Sequence, residues 1–502
     1  MNNKKKVFLN FVMSSVSTVL RMAVGFIIPR IILKSWGSEY NGLLNSVNTI
    51  MNYLLLLEAG INTSTLQALY KSIGNDDKHE TSIVIHSSQF YYRKISIVYF
   101  LCVLVASAVY PLVIDTIIPY WEVFWIIFLQ GCTGVINFAF RASYQQLLNA
   151  EGKYYVICII TFIIQMLTYA AKIVSVVVFD DVIVMQLLGV AIMGLQVIIY
   201  ALYFRHRYTW IENDVEVNMS LLKNRKYYLV QQIGSLIFNS TDTLVLSIFC
   251  GLKVASVYTV YAMVYSAITT VISIVRSSTG FVLGQSYYHG EQEFKKVYNV
   301  YTSIQVTLAC ALSSISLLLI TGFISLYTSG VSDIEYQNYL AAILFASNII
   351  LDGMRGANLA GANVAGQAPN TTWRYLMEAG INLTVSIILV RYLGIIGVLL
   401  GTVVSGIWRS LDSIIFFSKR VINVSPLKEL AFDVINIMLF AVFIFIGKLN
   451  LITINGYLQF IMWGILLTLI VFAIYIVIFI IANRDGLKGF IAELRGKNLQ
   501  KN

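Results

Sequence analysis

Fourteen runs of mainly apolar residues, each long enough to cross a bilayer, leave this chain few folds to choose from. A spanning helix needs about 20 such residues. The runs lie at roughly 8–33, 42–69, 95–114, 120–147, 155–179, 183–204, 228–250, 255–284, 298–328, 338–362, 373–391, 394–417, 431–448 and 455–482. In hydrocarbon every backbone N–H and C=O must pair within the segment, so runs of this length become helices. Only 12% of the 502 residues are charged and the mean hydropathy is +0.75, against about 25% charged in soluble domains. The chain reads as an all-α integral membrane protein. Its opening, "MNNKKKVFLNFVMSSVSTVLRMAVGFIIPRIIL", has a basic head, but the apolar run is too long for a signal core and lacks a cleavage site. It reads as a retained first span.

Lysine and arginine orient the spans, because cytoplasmic flanks collect them. With the N-terminus inside, cytoplasmic segments hold twenty-four of the 35, and seven lie within spans. The outer turns hold only four, Lys34, Lys253, Arg391 and Lys448. Both termini are therefore expected on the cytoplasmic face. The net charge of +10 is mostly this asymmetry, with attraction to anionic inner-leaflet lipid as a by-product. It does not mark a nucleic-acid partner. Cys102, Cys132, Cys158, Cys250 and Cys310 fall in apolar segments without metal-ligand spacing, so they read as packing residues. The four histidines lie in polar connections, which leaves no histidine relay in the membrane. No cofactor or metal is expected.

Two segments, "FRASYQQLLNAEG" (140–152) and "MRGANLAGANVAG" (354–366), share an internal pattern. Arg141 and Arg355, Asn149 and Asn363, and Gly152 and Gly366 are each 214 positions apart, and so are Gly37 and Gly251. Spans 1–6 then map onto spans 7–12 as a parallel duplication, since six spans return the chain to the same side. Such repeats mark transporters with a substrate path between the halves. The expected organisation is a six-helix bundle over 1–220, a second over 221–430, and two added helices with a basic tail over 431–502.

Charges inside spans need a reason, because each costs at least ~2.5–3.5 kcal/mol at the bilayer centre. Asp352 with Arg355 and Arg409 with Asp412 are spaced i,i+3 and can satisfy each other. Arg30 follows Pro29 near the outer boundary and reads as snorkelling; Glu378 lies close enough to the inner end to reach water. The small residues of "GANLAGANVAG" read first as close helix packing. Arg21 is about thirteen residues into the first span, ~20 Å along the helix, with no acid within four positions. Lys172 and Arg276 are similarly isolated along their helices, as are the acids Glu58 and Asp242. An inter-helix bridge such as Arg21–Glu58 is one explanation. The other is a hydrated, net-positive cavity for an anionic, phosphate-bearing substrate, bound by Arg21, Arg141, Lys172, Arg276 and Arg355. Glu58 and Asp242 are then candidates for proton or sodium coupling. Arg141 and Arg355 would meet the anion at the inner mouth, one per half, unless both merely snorkel.

Fourteen spans as two six-helix bundles plus two resemble the polysaccharide flippases (O-antigen and capsule, Wzx-type) of the MATE-like MOP export superfamily. The stretch from "GFIIPRIILKSWGSEYNGLL" to "LLLLEAGINTSTLQALYKSIGNDD" is similar to the opening of such flippases. Its proline–arginine ends the first span, "WGSEYNGL" forms the outer turn, and "LLEAGI" carries a mid-span acid. The resemblance implies a protein that moves an undecaprenyl-pyrophosphate-linked oligosaccharide from the inner to the outer leaflet of a bacterial cytoplasmic membrane by alternating access. It also implies basic residues in spans 1 and 8, matched by Arg21 and Arg276. A tail groove at the last two spans, coupling to an ion gradient or membrane potential, and contacts with membrane lipid and polysaccharide-assembly proteins complete that expectation. The rivals are an ion-coupled multidrug exporter or a peptidoglycan-precursor flippase of the same superfamily. A membrane-embedded synthesis enzyme fits less well, because the outer turns are short and no catalytic constellation appears.

Overall fold

The computed structural model describes residues 3–218 and 241–484, apart from isolated loop positions, the side chains of 3–23 and those of shorter helical stretches. The helices run α1 (Asn3–Leu54), α2 (Ile61–Gly74), α3 (Lys78–Val113), α4 (Tyr120–Ile136), α5 (Ala142–Ala150), α6 (Tyr154–Val174) and α7 (Val182–Arg207). They continue with α8 (241–249), α9 (Leu252–Tyr288), α10 (Glu291–Tyr327), α11 (Tyr339–Val364) and α12 (Ala368–Leu393). α13 (Ile395–Arg420), α14 (Leu427–Lys448) and α15 (Tyr457–Ala482) complete the set. Among the described residues eleven helical segments are long and apolar enough to span a membrane. The other three expected spans, at 8–33, 42–69 and 228–250, include residues outside that description.

Three expected spans are not single α-helices. A 3-10 turn at Leu55–Glu58 separates α1 from α2, a π turn at Asn137–Arg141 interrupts the fourth span, and a second at Ser175–Phe179 ends the fifth. Such insertions frequently sit at hinges and functional sites. Here they carry Glu58 and Arg141, and the second π turn begins three residues after Lys172.

The chain divides into two compact units, Met1–Ser256 and Val257–Asn502. In the first, the turn after span 1 is a clasp. α1 breaks at Gly37, where φ is +80°, a backbone region that L side chains rarely adopt. Gly251, its partner at the 214 offset, has φ +85°, so both glycines lie in the positive-φ region. Around Gly37, Trp36 Nε1 donates to Asp180 at 2.8 Å and Tyr40 OH to Glu122 at 2.7 Å. Glu39 accepts from Thr116 Oγ1 and the Ile117 amide, and Asn41 donates to Ser256 at 2.7 Å. The motif "WGSEYNGL" thus makes contacts to three other connecting segments. The "DD" turn serves it too: Asp180 takes the Trp36 bond while Asp181 caps α7 through the amides of Ile183 and Val184, as an N-cap carboxylate does.

Gly42 completes the clasp. A Cβ there would stand 2.0 Å from the carbonyl oxygen of Leu252, which is backbone and cannot rotate away. Gly42→Ala is expected to destabilise the protein by at least ~1–3 kcal/mol, the usual cost of overpacking. Thermal unfolding of the purified protein checks this, and an unchanged midpoint would refute the close approach.

In the second unit α10 is the central post. It buries one residue or more in nearly every turn and packs against α11, α14 and α15. By contrast α15 buries only Leu467, Val471 and Tyr475, a single i, i+4, i+8 stripe. Its remaining apolar faces are left for lipid. α9 and α10 have 37 residues each, about 55 Å of helix. They therefore continue past a hydrocarbon core of ~30 Å.

Candidate functional site

Four helices of the second unit bring their charges into one continuous chain. Arg276 on α9 donates through Nη2 to Asp352 on α11 at 2.9 Å. The other carboxylate oxygen of Asp352 accepts from Arg355 Nε at 3.2 Å. Arg355 reaches on to Glu378 of α12 through a short Nη1–Oε1 contact. The second oxygen of Glu378 faces Arg409 of α13 at 3.5 Å, and Arg409 binds Asp412 at 3.2 Å. Arg374 of α12 closes the row on Asp412 at 3.1 Å. Aromatic faces support the far end: Phe416 lies 4.2 Å from the Arg374 guanidinium and Tyr375 lies 4.9 Å from that of Arg409.

Both i,i+3 pairs expected from the sequence form, but they are parts of a longer row. Arg276, which has no acid nearby along its own helix, finds one on another. Glu378 departs from its expected position near water: its side chain is 3% exposed and held between two arginines. The rotation of α12 that aims Glu378 at α11 and α13 is a packing outcome, and distance from the helix end does not report it.

Exposure along the row is uneven. Arg276 and Asp352 keep 25% and 29%, whereas Arg409 is at 0%. The buried members therefore bind the helices to one another, and the Arg276–Asp352 end is the most exposed part of the row. Gly356, from the repeated motif, makes that end possible. A Cβ at Gly356 would meet the Arg276 guanidinium at 2.3 Å, and Gly361 likewise seats the Phe417 ring. The small residues of "MRGANLAG" are packing residues, and one of them packs against the arginine.

In the first unit Lys172 is half-buried on α6 and lines a cavity of about 270 Å³. The other polar lining is uncharged, with Asn41, Asn45 and Asn48 from α1, Gln130 and Thr133 from α4, and Gln186 from α7. Gln130 Nε2 donates to Asn48 at 2.5 Å and Gln186 Nε2 to Gln130 at 3.5 Å. No carboxylate lines this cavity, and no ion pair of Lys172 occurs among the described residues. Spacing could have revealed the asparagines, since 41, 45 and 48 share one helical face. Glu58 ends its 3-10 turn and accepts from Tyr92 OH at 3.3 Å. Asp242 on α8 is buried, beside a short Tyr53–Thr241 hydroxyl contact. Arg141 ends the first π turn and Arg21 lies on α1, but their side chains fall outside the described residues, so the Arg21–Glu58 bridge does too. The structure thus joins Arg276 and Arg355 through Asp352 and places Lys172 in a polar cavity of the other unit. A further pair, Glu429 and Asp433 at the start of α14, escaped the sequence reading because it looks like a cytoplasmic flank.

No protein-family model matches the chain, and no curated protein matches it by sequence. Solved structures do match by fold. A multidrug-resistance MATE transporter of the MOP superfamily, inward-facing, superposes with a TM-score of 0.67 at 16% identity, covering 82% of this chain and 98% of that one. The lipid II flippase MurJ, in an inward closed conformation, gives 0.67 at 14% identity over 93% of this chain and 99% of its own. A MOP-superfamily transporter from Pyrococcus furiosus, described as having a binding pocket of reverse polarity, gives 0.57 at 16% identity over 82% and 96%. The chain has the fold that these MOP-superfamily transporters and MurJ share.

Proposed function

We propose that the protein flips an undecaprenyl-pyrophosphate-linked oligosaccharide, a repeat unit of capsule, O-antigen or another surface polysaccharide. The movement runs from the inner to the outer leaflet of a bacterial cytoplasmic membrane. Charge balance in the Lys172 cavity and in the arginine row carries this reading. The Lys172 cavity has amides and hydroxyls but no carboxylate in its lining. The row in the second unit sets four guanidiniums against three carboxylates. Such surroundings suit a pyrophosphate, which arginine binds bidentately and lysine as a point charge. An exporter of organic cations needs the opposite balance.

The MurJ comparison supports a lipid-linked cargo. It covers more of this chain than the MATE comparison does, 93% against 82%, and the added share is close to the length of α14 with α15. A flippase of the peptidoglycan precursor, which carries the same pyrophosphate chemistry, is the second reading. In both, alternating access is driven by a proton or sodium gradient, without a resident cofactor. Arg21, Arg141, Lys172, Arg276 and Arg355 contact the anion. Glu58 and Asp242 remain coupling candidates, and polysaccharide-assembly proteins act beside it.

Transfer of a fluorescent undecaprenyl-pyrophosphate oligosaccharide across proteoliposomes tests this. Wild type is expected to transfer it, and Lys172→Gln to lose about tenfold or more, since a charged hydrogen bond contributes ~1.5–3 kcal/mol. Insertion should be unchanged, because the ammonium has no ion pair to lose among the described residues. If wild type transfers no glycan under either gradient but exports a cationic dye, the multidrug reading replaces this one.

A further inference from the structure

A cavity of about 530 Å³ in the second unit lies among α10, α14 and α15, at the end that the basic flanks assign to the cytoplasm. Its mouth carries the exposed ammoniums of Lys296 and Lys428, and its polar wall is Asn299, Thr302, Ser303 and Asn483. The same cavity is lined by two carboxylates one turn apart on α14, Glu429 and Asp433. Neither belongs to the arginine row, and α14 lies outside the duplicated spans.

Asp433 lacks the hydrogens that its oxygens need. Asp433 is 1% exposed, and neither of its carboxylate oxygens has a hydrogen-bond partner among the described residues. Glu429 is better supplied, since it accepts from Asn358 Nδ2 at 2.8 Å and from the Ser418 hydroxyl. Its other oxygen faces the Tyr298 hydroxyl at 3.3 Å, but that hydroxyl also makes a shorter contact to Asn358 Oδ1. A phenol has one hydrogen to give. The hydroxyls of Thr302 and Ser303 spend theirs on the Asn299 carbonyl at 3.0 and 2.8 Å, which leaves their lone pairs free. No ion pair of Lys296 or Lys428 with either acid occurs among the described residues. A buried carboxylate with neither donor nor countercharge is costly.

We propose that Glu429 and Asp433 bind one small cation, a proton or a monovalent metal ion, which enters through this cavity from the cytoplasmic side. The two carboxylates, with the hydroxyl and amide oxygens of the wall, offer oxygen ligands that suit a hard cation, and one positive charge balances the surplus of acceptors. This deepens the transporter reading by giving it a coupling-ion site distinct from Glu58 and Asp242. The titratable groups facing the pair are Lys296, Tyr298 and Cys310 on α10 and Lys428 on α14 itself. α15 contributes Ala482 and Asn483 to the lining, and α11 contributes Asn358.

The test is thermal unfolding of the full-length protein in detergent, without any transport step. Midpoints are compared at fixed pH in sodium, potassium and choline chloride, and then from pH 5.5 to pH 9 in choline chloride. A ligand that binds only the folded state raises the midpoint. Wild type should gain at least about 2 °C, the scale of a ~1 kcal/mol effect, from one of these cations. Asp433→Asn, an isosteric and neutral change, should abolish that response, and Glu429→Gln should reduce it. A response to sodium or potassium at constant pH identifies a metal ion. A response to acid alone identifies a proton. If wild type responds to none, or both variants respond as wild type does, the site is overturned. Failure here leaves lipid transfer untouched, and failure of lipid transfer leaves a cation-dependent midpoint standing.

Discussion

Arg409→Met will destabilise the protein more than any other single replacement in the arginine row. Arg409 is fully buried on α13 and is the only described link between Glu378 and Asp412. Methionine fills much of its volume but leaves Glu378, at 3% exposure, with Arg355 alone. Removing one partner of a buried ion pair costs about 3–5 kcal/mol, chiefly because the remaining charge stays desolvated. The second replacement separates that cause from lost packing. Glu378→Gln in the Arg409→Met background should recover a substantial part of the loss, since the two sites share one interaction and are not additive. Thermal unfolding in detergent reads both. A single variant within about 1 kcal/mol of wild type would mean that the row does not tie α12 to α13. A double variant no better than the single would mean that packing, and not charge, set the cost.

The parts of this row that the sequence reveals are those within one helix. Asp352–Arg355 and Arg409–Asp412 follow from a spacing of three, because residues so spaced face each other on any α-helix. Arg276–Asp352 joins positions 76 apart and Arg355–Glu378 joins positions 23 apart, and nothing in a single sequence reports how helices are rotated against each other. The membrane class was legible for a different reason: hydrocarbon demands long apolar runs whatever the packing. Gly37 and Gly251, paired in the sequence at one offset, both take a positive φ, which only glycine adopts at no cost. Glu58 and the π turn at Arg141 show the limit from the other side. Their spans are apolar enough to read as straight helices, and the breaks depend on neighbours that the local sequence does not name. Asp433 is similar, since an acid near the end of a span looks solvated until α10 and α15 close over it.

Arg276→Ala should leave the fold almost intact and still reduce lipid transfer by tenfold or more. The stability expectation rests on Asp352. It keeps Arg355 on its other oxygen at 3.2 Å, and it is 29% exposed, so water can replace the lost guanidinium. A partly exposed pair of this kind contributes about 1 kcal/mol or less. The transfer expectation rests on the same exposure, because the open end of the row can offer donors to a phosphate. Losing a charged hydrogen bond of ~1.5–3 kcal/mol lowers the rate by roughly tenfold or more, at 1.36 kcal/mol per decade. Gly356→Ala provides an independent route to the same state. Its new methyl group would occupy the space of the Arg276 guanidinium, the flexible end of a long side chain, so the arginine swings aside and the helices stay in place. Both variants should therefore lose transfer while melting near the wild-type temperature, and Arg276→Lys should recover part of it. Equal loss of stability and transfer in both would assign Arg276 to the scaffold, together with Arg409. Full transfer by both would remove Arg276 from the path of the anion and leave Lys172 as the described cation closest to that role.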